Sequence, residues 1–265
     1  MGSSYAEAPL PGFEHLVRCR WTSSSDPADP FAPVEHVPDT RVVPDGCADV
    51  HVDHQGGMRA IGTMTSAIEV PHEPGSELWA LRLRPEAVRA VLGVPASELV
   101  DRVVPLDHLL PSVEAEALAR YTLDPTTPAP RALTAAEVDP AVAAAVDLLW
   151  QTAAVDVASV ADEAWLSTRH LRRRLQEDVG IGPKLLQRIG RLHRFLDLLD
   201  RSIRSGGPGP GLAAIALAAG YADQAHANRD VLALTGATPG RLATERRPPP
   251  PQAPAPAPAP APSRP

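Results

Sequence analysis

At 265 residues and a formal charge of −7, the chain is long enough for two domains, each able to bury a core. No run approaches the roughly 18 apolar residues of a membrane span, no basic start precedes an apolar block, and Cys19 and Cys47 make no disulfide framework or zinc-finger spacing; a cytoplasmic protein is expected. The charge is unevenly shared. Residues 1–138 hold 10 Lys/Arg against 20 Asp/Glu, whereas residues 139–247 hold 14 against 12, so the second half can steer toward a polyanion despite the overall sign.

Residues 1–40 are poorly patterned. Thr22-Ser23-Ser24-Ser25-Asp26-Pro27 is loop-like, and Pro27, Pro30 and Pro33 keep any regular element short. Pro44-Asp45-Gly46 is turn chemistry, after which residues alternate: Ala48, Val50 and Val52 on one face, Cys47, Asp49, His51 and Asp53 on the other. Gln55-Gly56-Gly57 closes a hairpin before Met58–Met64, and a further strand covers Glu77–Leu83. From Pro85 the period becomes helical through Ala87, Val88, Val91 and Leu92. Ala96–Leu99 and Pro105–Leu110 read as short helical turns. A Pro- and Thr-rich linker follows around Leu123–Ala132.

The second half is helical. Asp139 caps a helix with Pro140 at its first position, running through Val142, Val146, Leu149 and Trp150. Val157, Val160, Ala161 and Ala164 make a short helix, and Trp165-Leu166 turns the chain. Ser167 then caps a helix whose Leu171 and Leu175 form one apolar stripe. Up to Leu175 its other positions carry four arginines, one histidine and no carboxylate. A short helix, a tight turn and a second helix with a cationic face is a helix-turn-helix layout. Leu185, Ile189, Leu192, Leu196 and Leu199 predict one long helix over Lys184–Asp200, roughly 25 Å at 1.5 Å per residue; Gly190 inside it should cost about 1 kcal/mol relative to Ala. Ser205–Gly211 is a flexible break.

The next segment partly repeats the first unit. Ile215-Ala216 and Ala219 match Val160-Ala161 and Ala164, and Ala227, Arg229 and Val231 match Leu171, Arg173 and Leu175. Gly220-Tyr221-Ala222 makes the turn and Asp223 the N-cap. Thr235–Pro239 ends the unit, and Pro248–Pro265 holds ten prolines, a polyproline-like spacer or disordered tail. The expected organisation is multidomain: a small α+β domain at 1–122, a linker at 123–138, an all-α domain of two helix-turn-helix units joined by a long helix at 139–247, and the tail at 248–265.

The second half resembles the AraC/XylS family of bacterial transcription regulators, through Leu166–Arg173, Gly180-Ile181-Gly182-Pro183-Lys184, Ala219–His226 and the closing Gly236-Ala237-Thr238-Pro239. The first half resembles a small N-terminal domain of one branch of that family, through Val43–Asp49 and Leu92–Leu99. The resemblance implies that two recognition helices enter successive major grooves of double-stranded DNA. Carried over by position, Arg169, Arg172 and Arg173 are base or phosphate readers of the first unit, and Gln224, Ala225, Asn228 and Arg229 occupy the corresponding places in the second. Ser167, Thr168 and His170 are expected at phosphates. The chemistry agrees, since Arg can bond guanine O6 and N7 together, and Asn or Gln adenine N6 and N7. RNA polymerase, a second copy of the chain and an effector of unknown identity are further candidate partners. No cofactor, metal or catalytic residue is expected.

Three departures from the family pattern stand out. Trp165 replaces a usual Gly, which predicts a distorted first turn. Ala227 and Val231 replace bulkier residues, which predicts a thin second core. The Gly/Pro insertion at 205–211 loosens the second unit. The alternative function is a thiol or metal sensor, or a small hydrolytic enzyme, built on Cys47, Asp49 and His51, against a simple reading of those residues as a polar outer strand face. His170 and His226 read as packing or phosphate contacts, and Trp79 and Trp150 as core.

Overall fold

The computed structural model describes residues 3–26, 40–71, 73–151, 155–205 and 211–247. Pro27, Pro30 and Pro33, the Gly/Pro stretch 206–210 and the tail 248–265 lie outside the described residues, as do the expectations placed on them.

The first domain is built on a six-stranded antiparallel sheet of β1 (Ser3–Ala8), β2 (Val17–Ser25), β4 (Ala48–Asp53), β5 (Met58–Ile61), β7 (Glu77–Leu83) and β8 (Val103–Pro105), in the order β1-β2-β7-β4-β5-β8. A separate pair joins β3 (Thr40–Val42) to β6 (Ile68–Val70). The expected alternation in β4 sets the register. Ala48 and Val50 lie opposite Leu83 and Leu81, and Val50 lies opposite Ala60 on its other side; all five are buried in one core. Pro105, which has no N–H to give a ladder, sits on the terminal strand. The hairpin at 54–57 is closed by Asp53, whose Oδ1 accepts the N–H of Gln55 and of Gly57.

Residues 1–40 hold more order than the sequence reading allowed. The serine run at 23–25 belongs to β2, paired to β1 on one side and β7 on the other. Val17, Cys19 and Trp21 do alternate as buried residues, and at the polar end of the strand Ser24 Oγ meets Ser4 Oγ of β1 at 2.8 Å. The structure also adds a helix that the sequence reading omitted.

Helix α1 (Val88–Leu92) and this added helix, α2 (Ser112–Leu123), cover the core face, the latter with Ala115, Leu118 and Tyr121. α3 (Arg131–Thr134) falls within the expected linker and buries Leu133 in the same core.

The second domain follows as α4 (Pro140–Gln151), α5 (Val157–Glu163), α6 (Thr168–Asp178), α7 (Pro183–Arg204), α8 (Leu212–Ala218), α9 (Gln224–Thr235) and α10 (Pro239–Glu245). Asp139 caps α4 as expected, its Oδ1 accepting the Ala141 N–H at 2.9 Å. One apolar cluster runs from Val142 to Leu242, so both helix pairs share a core through α7. α7 is 22 residues long, longer than the predicted 17, about 33 Å at 1.5 Å per residue. Gly190 permits its contact with α4: a Cβ there would lie 2.8 Å from the Trp150 carbonyl oxygen. The expected thin second core is filled differently. Ala227 and Val231 are buried beside Phe195 and Tyr221, whose rings meet edge to face at 6.2 Å.

The two domains touch along a polar seam. Arg89 Nη1 reaches Glu177 and Asp178 at 3.2 and 3.3 Å, and Arg84 Nη2 reaches Asp147 at 3.4 Å. His193 Nε2 donates to the Pro44 carbonyl at 2.8 Å, and Arg41 pairs with Glu245 at 2.9 Å.

Candidate nucleic-acid interface

Two units, α5–α6 and α8–α9, repeat bond for bond at their turns. The Leu166 N–H donates to Ala161 O at 2.8 Å, and the Tyr221 N–H to Ala216 O at 3.0 Å. The Trp165 and Gly220 N–H groups donate to Asp162 O and Leu217 O, each at 3.0 Å. Trp165 therefore does not distort the first turn. It adopts the left-handed backbone that the turn needs, with φ +57°, and its side chain is 94% exposed. Ser167 Oγ then accepts the His170 N–H at 3.2 Å and Asp223 Oδ1 the His226 N–H at 2.6 Å, so α6 and α9 each open on a side-chain cap.

Leu171 and Leu175 of α6 are fully buried against the shared core, which turns Arg169, Arg172 and Arg173 outward into solvent. Among the described residues neither Arg169 nor Arg172 has an acidic partner, whereas Arg173 meets Glu177 at 3.5 Å, one helical turn on. Arg174 differs from its neighbours. It is half-buried and paired to Asp139 and, at 3.5 Å, to Asp178, so it ties α6 to the start of α4 and is not offered to a ligand. Composition groups all four arginines, the family resemblance names only Arg169, Arg172 and Arg173 as readers, and the packing gives the physical reason that Arg174 stands apart. Ser167 is exposed, and Thr168 and His170 are half-buried on the first turn.

On α9 the burial of Ala227, Asp230, Val231 and Leu234 leaves Gln224, Ala225, Asn228 and Arg229 exposed. Arg188 of α7 holds buried Asp230 at 2.6 Å, fixing the rotation of α9 about its axis. His226 packs edge-on against Tyr221 at 5.2 Å, and its Nδ1 accepts the Ala222 N–H. Burial pushes the Tyr221 phenol well above its usual range, and among the described residues its hydroxyl has no hydrogen-bond partner. It serves as packing.

In the alternative constellation Asp49 and His51 do come together, with His51 Nε2 3.9 Å from Asp49 Oδ2. Cys47 is buried with the Arg18 guanidinium 3.9 Å from its Sγ, and burial, with Asp45 nearby, pushes its thiol well above the usual range, which disfavours a thiolate. Asp49 lies on the outer sheet face, accepting from Trp21 Nε1 and Arg82 Nε at 3.2 Å each. Burial works to raise its carboxyl, but the His51 ring and the Arg82 guanidinium beside it hold it below the ordinary value. His51 stacks edge-on against Trp21 at 5.1 Å. Among the described residues no three His, Cys, Asp or Glu side chains converge as metal ligands, and no described helix is long and apolar enough to cross a membrane. Trp79 is half-buried on β7, and the Trp150 ring of α4 meets the His193 ring of α7 at 5.3 Å, within the second domain.

Residues 160–245 match a family described as a helix-turn-helix domain, and residues 6–105 match a domain of unknown function, DUF6597. No curated protein matches the chain. Among solved structures, the C-terminal domain of AraT, a response regulator from Geobacillus stearothermophilus, is 21% identical, with 41% of this chain and 88% of that one covered and a TM-score of 0.36. ToxT from Vibrio cholerae O395 is 9% identical over 91% of this chain and 97% of that one, with a TM-score of 0.40. ToxT bound to (E)-4-(8-methylnaphthalen-1-yl)but-3-enoic acid gives 9%, 92%, 98% and 0.40.

Proposed function

We propose, for a chain that belongs with the AraC-type helix-turn-helix regulators and carries a DUF6597 domain before its DNA-binding half, that α6 and α9 read two successive major grooves on one face of a duplex. The observation that carries this reading is the outward display of Arg169, Arg172 and Arg173 beside that of Gln224, Asn228 and Arg229, on two capped helices built over one core. Guanidinium groups match guanine edges and phosphates, and the amides match adenine. Ser167, Thr168 and His170, with Ala225, line the approach to phosphate and base at the two helix starts. An α7 of about 33 Å lies close to the roughly 34 Å separating half-sites one turn apart.

The first domain is the regulatory part of this reading, through an effector, a second copy of the chain or polymerase. At its seam with the second domain an open groove of about 780 Å³ is lined by Glu14, His15, Arg84, Glu137 and Val138, placing any small molecule held there against the start of α4. A thermal-shift screen of metabolites on the whole chain separates sensing from scaffolding.

The test of DNA reading is selection from a random duplex library, followed by affinity measurements in a salt series. The expected result is an enriched two-part site, bound with an affinity that falls steeply with salt. Arg172→Ala with Arg173→Ala should cost about 1–3 kcal/mol per lost bidentate contact. Unchanged affinity for the selected site in that double variant overturns the assignment.

A further inference from the structure

The segment that follows β5 touches the far ends of both recognition helices. Thr63, 1% exposed, donates its hydroxyl to the carbonyl of Val179, the residue that ends α6, at 3.1 Å. Four residues on, the Ala67 N–H donates to the carbonyl of Leu234, next to the end of α9, at 2.8 Å. Four residues of chain span at most about 14 Å. A short piece of the first domain thus limits how far apart the C-terminal ends of α6 and α9 can move.

The segment is itself held rigidly. Gly62 N–H donates to Arg102 O at 2.9 Å, and a Cβ on Gly62 would fall 1.8 Å from the Leu99 carbonyl oxygen, so the chain is pressed flat against the 99–102 turn. Asp101 accepts the N–H and the hydroxyl of Thr65, both at 2.7 Å, while its own N–H donates to Thr63 O at 3.1 Å. Asp101 does this from a left-handed backbone, φ +55°, a conformation that disfavours a side chain by roughly 1–2 kcal/mol and that persists where the surroundings over-determine it. The same turn abuts the residue just past the end of α6: a Cβ on Gly180 would meet Val100 Cγ2 at 2.9 Å.

We propose that residues 62–67, clamped by Asp101, are a spacer by which the first domain sets the separation of the two recognition helices, making Thr63 and Asp101 positioning residues for the half-site spacing of the operator. This rests on the reading that α6 and α9 enter DNA. Thr63 is buried and the Asp101 carboxylate is taken up by Thr65, so both act through the helix ends. Their effect is on which spacing is accepted, not on how well each half-site is read. Because the bonds reach only the C-terminal ends, the arginines and amides displayed toward the helix starts stay free to bind.

The experiment takes the full-length chain and the duplex it selects, then lengthens or shortens the gap between half-sites by one to three base pairs. Wild type should lose about tenfold or more in affinity per added base pair, because each step translates and rotates one half-site out of register. Thr63→Val, which removes only the hydroxyl donor, and Asp101→Gly, which keeps the left-handed turn without strain but drops both Thr65 bonds, should flatten that loss to about threefold or less. Affinity for a single half-site should stay unchanged. Asp101→Gly should also melt no lower than wild type, which keeps the test open if Thr63→Val folds poorly. Wild-type spacing preference retained in a folded Asp101→Gly overturns the spacer while leaving DNA reading intact. A wild-type chain that selects no duplex overturns both.

Discussion

Trp165 and Gly220 occupy the same left-handed turn in two units 55 residues apart, with φ of +57° and +92°. The two turns share their closing hydrogen bonds, so the backbone is indifferent to which residue fills it, and the energy is not. A left-handed non-Gly residue is disfavoured by roughly 1–2 kcal/mol, and a side chain 94% exposed recovers little of that by packing. Trp165→Gly should therefore raise stability by about 1 kcal/mol, near 2–4 °C in melting temperature for a chain of this size. A lower melting point in the variant would show that the indole makes contacts that outweigh the strain.

The four arginines of α6 should separate in a two-axis assay. Arg172→Ala should weaken binding to the selected duplex and leave the melting temperature within error, since among the described residues Arg172 has no acidic partner. Arg174→Ala should lower stability by about 1 kcal/mol, because it leaves Asp139 and Asp178 without their shared cation. Differential scanning fluorimetry beside electrophoretic mobility shifts reads both. Identical behaviour of the two variants on both axes is the result that contradicts the geometry.

Gly190 sets helix propensity against packing. Alanine in a helix interior is favoured over glycine by about 1 kcal/mol. Here its methyl would press on the Trp150 carbonyl oxygen at 2.8 Å and the Trp150 Cα at 3.2 Å, where Arg194 already donates to that carbonyl. Backbone cannot move aside as a flexible side chain can, and overpacking of this kind costs about 1–3 kcal/mol. Gly190→Ala should be net destabilising in urea titration; a stabilised variant means that α4 and α7 separate freely.

His193 makes stability depend on pH. Burial lowers its pKa from 6.5, even though its Nε2–H is satisfied by Pro44 O and Asp45 and Asp197 lie near it. Below about 6.5 the unfolded chain binds a proton that the folded chain resists, so stability is present above that pH and is lost as pH falls through the window toward the depressed folded value. Urea midpoints at pH 7.5 and 5.5 should fall further in wild type than in His193→Gln. Equal differences would remove His193 from the acid response.

Much of the second domain was legible because its signals are local. Ser167, Asp139 and Asp223 announce helix starts, Leu171 and Leu175 fix the buried stripe of α6, and the second unit repeats the first at an offset of 55 before the turn and 56 after it. In the first domain the alternation of Ala48, Val50 and Val52 and the hairpin at Gln55-Gly56-Gly57 were equally readable, though not that Asp53 closes it. β2 was missed because its polar end, Thr22–Ser25, looks like loop until strands on both sides supply hydrogen-bond partners. α2 was missed because its stripe of Ala115, Leu118 and Tyr121 is too sparse to stand out before the sheet is there to cover.

Chain order alone therefore determined which helices would present cationic or amide-bearing faces, since caps and apolar periods act over three or four residues. Only the folded whole decided that Arg174 is tied to Asp139 and Asp178, that Gly190 is a contact point, and that Thr63 and Ala67 reach the C-terminal ends of α6 and α9. Those facts depend on residues tens or more than a hundred positions apart, brought together by burial of surfaces that no short window of sequence encodes.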